Sequence, residues 1–201
     1  MNFPAKIPTL VTPRLRLRPY TLTDAPAVQR LAGEKQVAAT TAALPHPYPD
    51  GAAEAWIGTH APRWAAREEL VFAVTLKATG ELVGSIGLVL WLPHAKAELG
   101  YWVGLPHWNR GYASEAARSV IDFGFRLLGL NRIEAHYLAG NAASGRVMEK
   151  AGMMREGCSP QAMKRNGEFH DVIFCGVVRS DWPDLPPALP EVAGLPPADR
   201  S

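Results

Sequence analysis

Near its start the chain alternates: Leu15 and Leu17 stand between Arg14, Arg16 and Arg18. Period two predicts a half-buried strand ended by Pro19, with a solvated arginine face that alternation alone explains and a phosphate patch as the lesser alternative. The period then changes to that of a helix. Thr21, Thr23 and Asp24 offer a cap, and Ala27, Val28, Leu31 and Ala32 form an apolar stripe that Gly33 stops. Residues 44–50 read as a loop, because Pro45, Pro47 and Pro49 withhold ladder donors. A second helix is predicted over 52–64, with Trp56 and Ile57 as its apolar anchors.

Strand periodicity returns over 70–76 and 82–90, joined by a hairpin turn at 77–80, and again over 95–103 after the break at Pro93. A long helix follows over 111–128. Its stripe, Ala113, Ala117, Val120, Ile121, Gly124 and Leu128, is small enough to pack closely on a sheet. A strand over 132–138, a short helix over 142–151 stopped by Gly152, and a strand pair at 153–158 and 172–178 complete the pattern. No internal repeat is visible. Helices first, then a strand meander, then strand–helix–strand–helix–strand–strand predict an α+β domain: a mixed sheet with helices on both faces. From Asp181 onward, prolines punctuate a small-residue tail that cannot bury enough surface to fold alone.

Composition narrows the field. With 47% hydrophobic and 20% charged residues, the chain is ordinary for a globular protein with a sizeable core. A net charge of +2 argues against nucleic acid or a membrane as the main partner. The longest uncharged run, 82–94, is too short to span a bilayer. The start, MNFPAKIPTL, lacks the apolar stretch of a signal peptide, and Cys158 and Cys175 show no CxxC spacing. Reduced thiols in a cytoplasmic protein are therefore expected. The six histidines are scattered without ligand spacing, so no metal is expected.

One stretch raises a chemical question. In WNRGYASEAARSV, residues 108–120, Gly111, Ala113 and Ser114 leave the start of the long helix bare of bulk. A helix N-terminus offers unpaired N–H groups and the positive end of its dipole, so an anion able to approach them is held. Gly111 permits backbone conformations closed to other residues, and Arg110 adds charge at the rim. The plainer reading is a turn followed by alanines packed on the sheet. The stretch is neither GxGxxG nor a P-loop ending in GK[ST].

The run from Ala97 to Val103 (AELGYWV) together with Trp108 to Ala116 (WNRGYASEA) resembles the central motif of the GNAT-superfamily N-acetyltransferases, and within it the group that acetylates the N-termini (alanine or serine) of ribosomal proteins. TPRLRLR at 12–18 is similar to that group's opening strand, and NAASGRVMEKAGM at 141–153 to its last helix. The likeness spans 12–182. It implies a GNAT domain there, with a twisted, mostly antiparallel sheet of six to seven strands and helices on both faces, and leaves 183–201 as the proline-rich tail that composition marks as flexible or loosely docked. Gly111 and Ala113 match the superfamily's pyrophosphate-wrapping pattern, whereas Trp108 stands where glutamine or arginine is usual. The resemblance implies acetyl-coenzyme A as co-substrate, bound by Trp102, Val103, Trp108, Asn109, Arg110, Gly111, Tyr112, Ala113, Ser114, Asn141 and Ser144.

The same resemblance implies a thioester lying between two splayed strands, 95–103 and 132–138, with a backbone N–H near Trp102 or Val103 facing the developing oxyanion. Glu98 is the candidate base for the amine, and Ser144 the candidate hydroxyl near the leaving thiolate. The tyrosine that many superfamily members place on the last helix is replaced by Met148, which donates no proton. Tyr137 and His136 are further local candidates. An α-amine titrates near ~8 and a lysine side chain near ~10.4, so an α-amine suits a site with one carboxylate and no tyrosine acid. The acceptor groove is expected from residues 44–50, Trp56, Trp91 and the hairpin at 164–169. The implied partners are acetyl-coenzyme A and an amine acceptor, a peptide N-terminus or a small molecule, with a homodimer as a further option. A rival reading is a domain that binds acetyl-coenzyme A without transferring anything, as a sensor or interaction module.

Overall fold

The computed structural model describes residues 3–41, 44–165 and 167–183. The proline-rich tail therefore lies outside the described residues from position 184 onward. Eight strands make one sheet: β1 (Leu10–Val11), β2 (Leu15–Arg18), β3 (Glu69–Leu76), β4 (Leu82–Trp91), β5 (Lys96–Val103), β6 (Arg132–Leu138), β7 (Met154–Arg165) and β8 (Glu168–Val178), in the order β1-β2-β3-β4-β5-β6-β8-β7. Every neighbouring pair is antiparallel except β5 and β6. Between those two the chain crosses over through α4 (Tyr112–Arg126), as a parallel pair requires.

The eighth strand, beyond the six to seven expected, is β1. Two residues are too few to show a period, yet Leu10 is fully buried and pairs with Leu17. A helix the pattern did not predict, α2 (Lys35–Thr40), restarts the chain after α1 (Ala25–Ala32) ends at Gly33. It buries only Val37 and Ala38, too little to mark a stripe. The last two strands run longer than their apolar residues suggest, because β7 is an edge strand and mostly exposed.

Both faces of the sheet are covered. Phe72, Ile86, Leu88 and Leu99 face α4, where Val120, Ile121 and Phe125 complete a core. Gly124 brings α4 close: a Cβ there would lie 2.8 Å from Ile133 Cδ1. On the other face, Ala73, Leu82 and Trp102 pack under α1 and α3 (Ala52–Ala65), against Val28, Leu31 and Ile57. Burial on two faces explains why β3 and β4 read as continuous apolar runs. Each large side chain so buried contributes roughly 1.5–3 kcal/mol. Among the described residues, no helix is long and apolar enough to cross a membrane.

Candidate active site

Strands β5 and β6 pair only through Lys96–Arg132, Ala97–Ile133 and Glu98–Glu134. Beyond Glu98 they part, while β5 keeps its pairing with β4 as far as Val103. A cavity of about 610 Å³ opens through the sheet at this gap. Strand alternation sorts its walls by face. Trp102 belongs to the core under α1 and α3, so Glu98 and Gly100 point to that side. Leu99 and Tyr101 point to the side of α4 and of α5 (Ala142–Lys150).

On the first side, His136 Nδ1 stands 2.8 Å from Glu98 Oε1. The hydrogen bond to Glu98 raises the imidazole pKa above its ordinary value, against burial, and the Glu134 carboxylate adds to the rise. Glu134 is itself held low by Lys96 Nζ at 2.7 Å and Arg132 Nε at 3.2 Å, which outweigh its burial. A half-buried carboxylate with a protonatable partner thus faces the cavity, an arrangement suited to moving a proton.

On the second side, the Tyr101 hydroxyl and Ser144 Oγ lie 2.9 Å apart. Burial raises the Tyr101 pKa and the Ser144 hydrogen bond opposes it, so the phenol keeps its proton. Met148 lines the same region and is buried. Tyr137 packs on α5 where that helix has Gly145; a Cβ there would meet the Tyr137 hydroxyl at 2.6 Å. Asn141 caps α5, its Oδ1 accepting from the Ser144 N–H at 3.1 Å, and its Nδ2 donates to the Thr40 carbonyl at 3.1 Å. Its amide thus ties α5 to the end of α2.

At the bare helix start, Gly111 has φ +77° and Asn109 φ +58°, and α4 begins at Tyr112. Ala113 and Ser114 occupy the first turn, and a Cβ on Gly111 would meet only Arg14 Nη2, at 3.4 Å. Sequence alternation put Arg14 on a solvated face. In the fold it reaches this turn, donating to the Arg110 carbonyl at 2.9 Å and to Glu115 Oε2 at 2.7 Å, and lying 5.0 Å over the Tyr112 ring. Burial alone would raise the Glu115 pKa, but hydrogen bonds from Thr12 and Arg14 hold it below the usual range. Two arginines thus stand at the turn before the helix, its own Arg110 and Arg14 reaching over from the start of β2. Trp108 turns away to the α1–α3 side, its Nε1 donating to the Val103 carbonyl at 2.6 Å.

The unpaired edge of β5 beyond Glu98 leaves backbone groups that an amide-bearing ligand arm can pair with. The left-handed turn and helix N-terminus lie at the next connection, with N–H groups of the kind that can donate to a phosphate. These features fit an acyl-coenzyme A, with its amide-rich arm and pyrophosphate.

On the acceptor side, Leu44, Tyr48, Trp56 and Met163 line the cavity. Trp91 does not. It sits at the far end of β4 with Lys96 Nζ 5.0 Å over its ring. Of the hairpin, Lys164 lies over Phe169 at 5.5 Å, and Arg165 donates to the Ala38 and Ala39 carbonyls of α2. Tyr101 is a residue sequence reasoning left without a role, and Arg14 one it treated only as part of the arginine face of β2. Among the described residues no group of three or more His, Cys, Asp and Glu is placed to hold a metal ion.

Comparison with known proteins adds an independent line. A family model described as an acetyltransferase (GNAT) domain matches residues 14–154. An uncharacterized N-acetyltransferase of Bacillus subtilis, YoaA, is 34% identical over 173 residues, covering 86% of this chain and 97% of the relative. The crystal structure of a GNAT-family acetyltransferase from Bacillus anthracis superposes with TM-score 0.76 at 26% identity, covering 86% of this chain and 99% of that one. RimL, a ribosomal L7/L12 alpha-N-protein acetyltransferase solved in complex with coenzyme A, shares the fold with TM-score 0.78 at 18% identity, over 85% of this chain and 97% of its own.

Proposed function

Since this chain belongs to the GNAT family of acetyltransferases, and is an acyltransferase, we propose that it moves an acetyl group from acetyl-coenzyme A to a primary α-amine, that of a peptide N-terminus or of a small molecule. The observation that carries the reading is the parting of β5 and β6, with a carboxylate–imidazole pair on one face of the gap and a hydroxyl pair on the other.

Bound acetyl-coenzyme A supplies an electrophilic carbonyl and a sulfur leaving group. The chain's residues do the rest. Glu98, with His136 behind it, takes the proton that the amine nitrogen gives up as its bond to the acetyl carbon forms. Strand alternation leaves one of the two neighbouring N–H groups, Trp102 or Val103, on the free edge of β5 to face the acetyl oxygen, and such a donor is worth a few kcal/mol, about 3 in well-studied cases. Ser144 and Tyr101 form a hydroxyl pair that hands a proton toward the sulfur as the carbon–sulfur bond breaks. That pair takes the place of the tyrosine absent at Met148. Gly111, Tyr112, Ala113 and Ser114, with Asn109, Arg110 and Arg14 at the rim, hold the pyrophosphate. Trp108 acts indirectly, by fixing the end of β5.

An α-amine is the favoured acceptor because it is already partly unprotonated near neutrality, its pKa being ~8 against ~10.4 for lysine. The test is acetyl transfer followed by thiol release, with peptides of free N-terminus and blocked lysines set against the reverse. Turnover confined to the blocked-N-terminus peptides would overturn the α-amine assignment, and no turnover with any amine would leave a binding module.

A further inference from the structure

Resting on the transferase reading above, we infer that the acceptor end of the cavity selects a single amine carried on an apolar, aromatic-sized body and rejects acceptors with a carboxylate or phosphate beside that amine. The argument starts from charge. Among the described residues the cavity's charged walls are Glu69, Glu98 and His136, and no lysine or arginine lines it. The one imidazole is already committed to Glu98 at 2.8 Å. Two arginines next to its walls are engaged: Arg63 pairs with the lining Glu69 at 2.7 Å, and Arg165 donates to the α2 carbonyls. An acceptor anion would enter without a cation to meet it, beside a carboxylate that repels it, and a buried unpaired charge is among the most unfavourable groups a pocket can hold. A free amino acid carries such an anion one bond from its amine carbon; an N-terminal residue in a peptide, its amide, or an arylalkylamine does not.

The walls specify what is accepted. Trp56, Tyr48, Leu44, Val71 and Met163 present apolar and aromatic surface. Trp56 is fixed from behind, its ring packed edge-on against Tyr20 at 5.1 Å and His60 at 4.5 Å. A rigid indole of this kind grips apolar groups with little loss of side-chain freedom. The floor is bare. Gly87 of β4 and Gly100 of β5 are register partners, and a Cβ on Gly100 would meet nothing within 4 Å. That space lies two residues along β5 from Glu98, on the same face, which is where the group carrying the amine must sit. A second ammonium would find only Glu69, already paired with Arg63, so a polyamine gains little there.

The test compares three ligands that differ at one group: phenethylamine, phenylalaninamide and phenylalanine. Their affinities for the full chain with coenzyme A bound are read by tryptophan fluorescence, and acetyl transfer from acetyl-coenzyme A is followed separately. The expected result is saturable binding of the first two and binding of phenylalanine weaker on the order of tenfold to a hundredfold. Met163→Arg, which introduces a cation at the partly exposed rim, should narrow that gap. Equal binding of the acid, or no binding of any of the three, overturns the selectivity. Binding in the expected order without acetylated product upholds it while the transferase reading falls, so the two ideas fail separately.

Discussion

Nδ1 of His136 lies 2.8 Å from Oε1 of Glu98, although the strands that carry them have stopped pairing two residues before His136. The contact bridges the mouth of the gap and ties the protonation of one group to the other. His136 is held above its ordinary pKa, first by its hydrogen bond to Glu98. The form able to accept a proton from an amine is the one in which the imidazole has lost its own. Activity should therefore rise with pH through a value above ~6.5, the ordinary histidine value. Glu98→Gln should lower kcat by about 10²–10⁴ and let the imidazole titrate closer to that ordinary value. The kcat/KM profile against pH and the NMR titration of His136 read the two effects; an unmoved His136 and a wild-type profile would remove the pair from the mechanism.

Gly111 poses a steric question and an electrostatic one, which two substitutions separate. Its φ of +77° means any side chain is strained, so Gly111→Ala should reduce stability by roughly 1–2 kcal/mol. Gly111→Asp adds a negative charge where phosphates approach, and should abolish calorimetric binding of coenzyme A that the alanine variant largely retains. Dephosphorylated pantetheine serves as the control ligand. Equal affinity of both variants and the parent would mean that the turn only packs.

β2 is legible from its alternation, β3 and β4 from their continuous apolar runs, and α1 and α4 from the stripe each buries. β1 and α2 are not, being too short for a period to show. Glu98 and Ser144 stand out through motif likeness alone, whereas the Gly111 turn is first marked by its small residues at a helix start and only then by the motif. Tyr101 sits in the same motif yet drew no role, since its partner Ser144 is 43 residues away and only the fold brings the hydroxyls together. Arg14 is exposed, as alternation predicts, but its partner was hidden for a similar reason. Alternation says that it leaves the core, but the partner it leaves for, Glu115, is on α4, 101 residues on. Trp91 was placed in the acceptor groove on residue type alone, and the strand register puts it at the opposite end of β4.

Tyr101 and Ser144 should behave as one unit. Their hydroxyls lie 2.9 Å apart and the serine is buried, so removing either leaves the other without its partner. Tyr101→Phe and Ser144→Ala should each lower kcat with little change in KM. The double variant should be about as slow as the slower single, as groups acting together are non-additive. Independent, multiplying losses in the double-mutant cycle would show two unrelated contributions.

His60 supplies the last prediction, and it links stability to the acceptor wall. The ring is 4% exposed, and neither of its nitrogens has a hydrogen-bond partner among the described residues. It is enclosed by Trp56 at 4.5 Å and Tyr20 at 5.3 Å. Burial, helped by the nearby Arg63, pushes its pKa down to about 4. In the unfolded chain the same ring titrates near ~6.5, so between these values the unfolded state binds the extra proton. Stability is therefore complete above ~6.5 and falls as pH drops toward 4, by about 1.4 kcal/mol per pH unit for this one proton. His107, also held low by burial, acts in the same direction. His136, raised instead, keeps its contribution below ~6.5 and loses it only at higher pH. Asp24, Glu115 and Glu134, all held low by their partners, lose theirs only in more acid solution. Urea unfolding of the parent and of His60→Leu between pH 4.5 and 7 isolates the group, because the difference in slope removes the rest. The leucine variant should be flatter by close to one proton, and equal slopes would show that His60 is solvated or partnered in the folded protein. Because Trp56 rests on this ring, charging His60 should also loosen the indole wall, so apolar acceptors should weaken over the same acid range before the fold is lost.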